Sequence, residues 1–166
     1  VLEQLGHLDL TAEQVNEGLK RTRWSGRLEW FSKEPPVLLD GAHNNAGIVA
    51  LRKALQQDYT YRKLILVLGI MEDKDLRGML HKLAPLADRI ILTRPKYERA
   101  AEPESLMDVA GEFVNRTELI RSVPDALKKA MILATSEDLV VVTGSLYFIG
   151  EVKEMQEAKS MADPAA

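Results

Sequence analysis

The sequence predicts a single three-layer α/β domain, Rossmann-like, on a mostly parallel sheet of about six strands. Three observations carry that expectation. Short leucine-rich or β-branched runs alternate with longer helical patterns, the rhythm of strands joined by helical crossovers. Three of the runs are apolar without strict alternation, as strands covered on both faces are. A length of 166 residues suffices for one well-packed core and is short for two.

Taken in order, Thr11 opens a helix over Ala12 to Lys20, and Gln14 three residues on completes a capping-box pattern. The runs Leu28 to Phe31 and Val37 to Leu39 flank a short Pro-containing stretch and are expected to form an antiparallel edge pair. A helix over Asn45 to Gln57 precedes the interior strand Lys63 to Leu68. Next come a helix over Lys74 to Leu83, the interior strand Arg89 to Leu92, a helix over Pro103 to Val114 and a strand over Glu118 to Ile120. A helix over Pro124 to Thr135, the interior strand Leu139 to Val142 and a helix over Leu146 to Glu157 complete the pattern. Pro103 and Pro124 sit in first turns, where a missing N–H costs nothing. Ile65, Val67, Ile91, Val140 and Val142 are the predicted core.

Residues 1–24 lack a strand-and-loop rhythm and read as a helical connector from a preceding domain. Residues 25–158 form the domain, and 159–166, without apolar periodicity, read as a disordered tail. The chain begins with Val1, which fits a piece of a longer protein.

Composition excludes more than it names. An apolar fraction of 46% and a charged fraction of 28% belong to a globular protein. A net charge of −3, with no long Lys/Arg cluster, argues against a nucleic-acid partner. Absence of cysteine removes disulfide and thiolate chemistry and fits a reducing compartment, so the cytoplasm is expected. No apolar run approaches the length of a membrane span.

In an open parallel sheet ligands collect beyond the carboxyl ends of the strands, so three post-strand loops carry weight. Asp40-Gly41-Ala42-His43-Asn44 offers a tight turn, a carboxylate, an imidazole and a helix start with unpaired N–H groups, a combination able to hold a nucleotide. The plain alternative is that Asp40 and Asn44 only cap a turn. In Gly69-Ile70-Met71-Glu72-Asp73-Lys74-Asp75, Lys74 stands near a helix start, either for an anionic ligand or simply solvated. In Thr143-Gly144-Ser145, the hydroxyls and backbone suit a carboxylate, or cap the last helix. No dinucleotide fingerprint, phosphate-cradling Gly-x-x-x-x-Gly-Lys-Ser/Thr loop, nucleophile elbow or metal-ligand spacing of His7, His43 and His81 occurs.

Four ordered strings resemble folylpolyglutamate and dihydrofolate synthases: Trp24-Ser25-Gly26-Arg27-Leu28-Glu29, Leu38 to Asn44, Leu68 to Asp75, and Val142 to Val152. Ser25 and Asn45 stand where that family usually has Pro. The resemblance implies the carboxy-terminal, Mur ligase-type glutamate-ligase domain of an enzyme that uses ATP and Mg2+ to activate a folate γ-carboxylate as an acyl phosphate. Glutamate then attacks to give an amide. It further implies ATP contacts by Arg27, Asp40, His43 and Asn44, with His43 catalytic, and glutamate contacts by Lys74 and Ser145. The phosphate-cradling loop and the metal ligands would lie in an amino-terminal ATPase domain, so the isolated chain is expected to be inactive, as is a monomeric enzyme without membrane attachment. The alternatives are another Mur-type amino-acid ligase and a non-catalytic α/β interaction module.

Overall fold

Residues 10–22 and 24–162 are described by the structure, a computed structural model. One sheet holds β1 Glu29–Lys33, β2 Pro36–Asp40, β3 Leu64–Leu68, β4 Arg89–Leu92, β5 Thr117–Leu119 and β6 Leu139–Thr143. Their spatial order is β1-β2-β6-β3-β4-β5. β1 runs antiparallel to β2, and every other pairing is parallel. The helices are α1 Ala12–Arg21, α2 Asn45–Gln57, α3 Leu76–Leu83, α4 Pro103–Asp108, α5 Val123–Leu133 and α6 Leu146–Ala162.

The alternation of side chains along each strand divides the interior into two layers. Leu38, Leu64, Leu66, Leu68, Ile90, Leu92 and Val141 pack with Ile48, Leu51 and Leu55 of α2 and Met79, Leu80 and Leu83 of α3. Their sequence neighbours Val37, Leu39, Ile65, Val67, Ile91, Val140 and Val142 pack with α5 and with Phe148, Ile149 and Val152 of α6. All five residues predicted as core are buried, and all belong to this second layer. β3 and β6 are buried at every position because both faces are covered, and each such side chain contributes about 1.5–3 kcal/mol.

Several expected boundaries move, most by one or two residues. The helix expected over Pro103 to Val114 stops at Asp108 and resumes as a 3-10 turn, Gly111–Arg116. Glycine in a helix interior costs about 1 kcal/mol, and the break lets Phe113 reach the core, where its ring meets His81 edge-on at 5.6 Å. The third helix begins at Leu76, not Lys74, because Asp75 caps it by accepting from Gly78 N at 2.9 Å. β5 begins at Thr117, one residue early, and α6 runs to Ala162, into the segment expected as tail.

α1 keeps the predicted capping box, with Thr11 Oγ1 accepting from Gln14 N at 3.2 Å, and buries none of its residues. The remainder of the expected connector, 1–9 and 23, and of the tail, 163–166, lies outside the described residues. Among the described residues no helix is long and apolar enough to cross a membrane.

Candidate functional site

β2 ends in Asp40, which is 6% exposed. Its Oδ1 accepts from Ala42 N at 2.9 Å and its Oδ2 from Leu28 N at 3.1 Å, so one carboxylate ties the start of α2 to the turn before β1. Burial pushes this carboxyl above its usual range, against the opposing pull of those two N–H groups and of the Arg27 charge. The turn is close: Gly41 N donates to Gly26 O at 2.7 Å, and a Cβ on Gly41 would lie 3.0 Å from Arg27 Nη1. Leu28 holds φ at +45°, a conformation side chains seldom adopt and one that accumulates at functional sites.

Arg27 is exposed, and among the described residues it forms no ion pair. Glu29, the nearest acid in sequence, is taken instead by Lys153 at 2.7 Å and by Gly26 N at 2.6 Å. Arg27 is thereby left to a cavity of about 440 Å³ that it lines with Leu28, Asp40, His43 and Asn44. Asn44 caps α2, its Oδ1 accepting from Gly47 N at 2.8 Å, which leaves its amide N–H groups to donate elsewhere. His43 Nδ1 lies 2.8 Å from Gly41 O; a carbonyl only accepts, so Nδ1 carries a proton, and in the neutral ring Nε2 then holds the lone pair.

A second cavity, of about 500 Å³, lies beside the first and shares His43 with it. Lys74, Asp73, Arg99, Ser145 and Tyr147 also line it. Lys74 Nζ pairs with Asp73 at 2.6 Å, and Ser145, 1% exposed, accepts from Tyr147 N at 3.1 Å in the first turn of α6. Lys74 thus has an acidic partner and Ser145 caps a helix, and both line the cavity. Gly144 makes the approach possible: its φ is +117°, and a Cβ there would lie 2.5 Å from Gly69 O. Beside it Thr143 Oγ1 is buried without a hydrogen-bond partner among the described residues, and Thr143 pairs in register with Asp40.

Arg99 was not singled out in the sequence. It follows the carboxyl end of β4, where the rule that flagged the other loops applies equally. Two contacts bring it in: Met71 and Ala100 form an antiparallel bridge, and Glu72 N donates to Arg99 O at 2.9 Å. The loops after β3 and β4 are thereby joined edge to edge. Tyr97 and Tyr147 stack with ring centroids 4.0 Å apart, and the Arg99 guanidinium lies 5.7 Å from the Tyr97 centroid.

The carboxyl end of the sheet therefore gathers Arg27, Asp40, His43 and Asn44 at one cavity and His43, Lys74 and Ser145 at the next. The first offers a guanidinium, amide donors and a helix start to an anion; the second offers cations and a hydroxyl. Among the described residues no three His, Asp or Glu side chains are grouped to hold a metal ion.

Residues 26–146 match the family model described as Mur ligase, glutamate ligase domain. The chain is 31% identical over 152 residues to the dihydrofolate synthase/folylpolyglutamate synthase of Bacillus subtilis, covering 92% of this chain and 34% of that protein. A solved structure of Mycobacterium tuberculosis folylpolyglutamate synthase complexed with ADP superposes with a TM-score of 0.83 at 30% identity, covering 92% of this chain and 37% of that one. A solved bifunctional folylpolyglutamate synthase/dihydrofolate synthase with Mn, AMPPNP and L-glutamate bound superposes with a TM-score of 0.78 at 26% identity, covering 91% of this chain and 36% of that one. The chain thus spans about a third of the length of these relatives.

Proposed function

We propose that this chain, which belongs to the Mur ligase glutamate ligase domain family, works as the glutamate-ligase part of an ATP-dependent enzyme that lengthens folate with glutamate. The first cavity is the nucleotide side. Arg27 forks onto phosphate oxygens, Asp40 meets the ribose hydroxyls with the lone pairs its backbone donors leave free, and Asn44 donates to a phosphoryl oxygen. The second cavity is the amino-acid side, where Lys74 and Ser145 hold glutamate.

The observation that carries this reading is that His43 lines both cavities. A ligase of this kind must bring an acyl phosphate and an amine together, and the residue between the two sites is placed for that junction. Its Nε2 lone pair is suited to the proton that the attacking amine sheds. Activation of the folate carboxylate as an acyl phosphate, with magnesium and the phosphate-cradling loop, falls to an amino-terminal ATPase domain, to which residues 1–24 connect. Residues 25–158 are the ligase domain. The absence of cysteine favours the cytoplasm, and one copy of the enzyme suffices for the reaction, so a monomer is expected.

Radiolabelled glutamate incorporation by the parent enzyme tests the reading. Turnover should require ATP and a folate and fall about a hundredfold or more in His43→Ala, with both KM values nearly unchanged. A wild-type kcat in that variant would remove His43 from the chemistry, and no folate-dependent incorporation at all would remove the substrate assignment.

A further inference from the structure

The second cavity has a charge count that a simple anion site does not need. Its walls carry two cations, Lys74 and Arg99, and one carboxylate, Asp73. An amino acid with a charged acidic side chain has the complementary set: two carboxylates and one ammonium. An amino acid with a neutral side chain would leave one of the cations without a partner.

The two cations are not equivalent. Lys74 is paired with Asp73 at 2.6 Å. Arg99, among the described residues, has no carboxylate within ion-pair distance; its guanidinium lies 5.7 Å from the Tyr97 centroid, and the Tyr97 hydroxyl, with the more distant Asp73 charge, favours its charged form. Its backbone is fixed on both sides, by Glu72 N to Arg99 O at 2.9 Å and by Ala101 N to Ile70 O at 2.9 Å. The Tyr97–Tyr147 stack limits where the guanidinium can swing. A pre-positioned, planar, always-charged fork with no carboxylate partner among the described residues is suited to receive a ligand carboxylate in two parallel hydrogen bonds. An ordinary solvated arginine would not be flanked by a stacked tyrosine pair and a strand-like bridge at a cavity wall.

From this geometry we propose that Arg99 is the residue that selects for a side-chain carboxylate on the incoming amino acid, Lys74 and Ser145 holding the part common to all amino acids. The inference rests on the amino-acid site assigned above and adds to it the origin of acid specificity. Glutamine is the discriminating probe, since it matches glutamate in length and lacks only the charge. A buried or fixed cation left unpaired penalises such an isostere more than a lost contact alone would.

The experiment measures KM for glutamate, glutamine and ATP in the parent enzyme and in Arg99→Ala, Arg99→Lys and Lys74→Ala. Arg99→Ala should raise the glutamate KM tenfold to a hundredfold, leave the ATP KM within about twofold, and leave glutamine little changed, so that the preference between the two collapses. Arg99→Lys, which keeps the charge and loses the fork, should fall between. Because Arg99 is exposed, the melting temperature should hold in all three. An equal rise for glutamate and glutamine, or none for either, overturns the proposal. If Lys74→Ala alone raises the glutamate KM, Arg99 is not the selector and the amino-acid site stands. If neither variant does, the site itself is misplaced.

Discussion

Two buried aspartates stand at opposite ends of the sheet, and their surroundings differ. Asp138, before β6 at the amino end, receives Arg62 Nε at 3.2 Å, Arg62 Nη2 at 3.3 Å, Thr135 N at 2.9 Å and Thr135 Oγ1 at 2.8 Å. The Arg62 hydrogen bonds lead in holding its carboxyl down to about 2. Asp40, at the carboxyl end of β2, receives only two backbone N–H groups, and burial pushes its carboxyl up. Next to it Thr143 Oγ1 is buried with no hydrogen-bond partner among the described residues. One end of the domain has its polar groups satisfied for stability, and the other leaves them short of partners. Shortfall of that kind is tolerated where a ligand completes the set.

The contrast is sharpest where a substitution affects activity and not stability. Arg27→Ala at the carboxyl end should slow turnover of the parent enzyme by orders of magnitude and leave the chain's melting temperature nearly unchanged, because among the described residues Arg27 has no ion pair to lose. Steady-state kinetics beside a thermal melt decide it, and unaltered turnover would break the comparison at its strongest point. Next in size, Lys74→Ala and Ser145→Ala should each raise the glutamate KM about ten- to a hundredfold while the ATP KM barely moves. Wild-type values for both substrates would make these residues structural.

At the amino end the expectation reverses. Asp138→Asn should cost roughly 2 kcal/mol, seen as a melting temperature lower by about 4–8 °C, with KM values for ATP and glutamate unchanged. A kinetic effect would show that the two ends are not separable. The smallest effect is one of pH. The Asp138 carboxyl titrates lower in the folded chain than in the unfolded one, so its contribution is present above about pH 4 and is lost as pH falls toward about 2. Asp40 has the opposite sign: its folded value is raised, so the wild type loses stability relative to Asp40→Asn as pH rises through that value. Urea midpoints across an acid series should therefore diverge in opposite directions for the two variants, and parallel curves would refute the assignment.

Much of this was legible in the sequence for a physical reason. Strands covered on both faces must be apolar almost throughout, so β3, β6 up to its last residue, and β4 beyond its exposed Arg89 announce themselves in composition alone. The turn after β2 was legible because Asp, Gly and Asn each have a local backbone task, and the structure shows Asp40 and Asn44 performing it. Arg99 was not, because its place depends on the bridge between Met71 and Ala100, a pairing outside any strand. The Arg62–Asp138 pair was hidden for a similar reason, its partners lying 76 residues apart. The broken helix after Pro103 was missed because continuous periodicity outweighed a single glycine at Gly111.

The strand order has a consequence for synthesis on the ribosome. β6 is the last strand to be made, yet it lies between β2 and β3, pairing with both. Until residues 139–143 emerge, the β1–β2 hairpin and the β3–β4–β5 group have no strand to join them, and each exposes an apolar edge. From the synthesis of β3 until that of β6 the two half-sheets therefore stay unjoined. Closure is late and long-range, the kind of step that slows folding and lengthens the interval in which chaperones have something to bind.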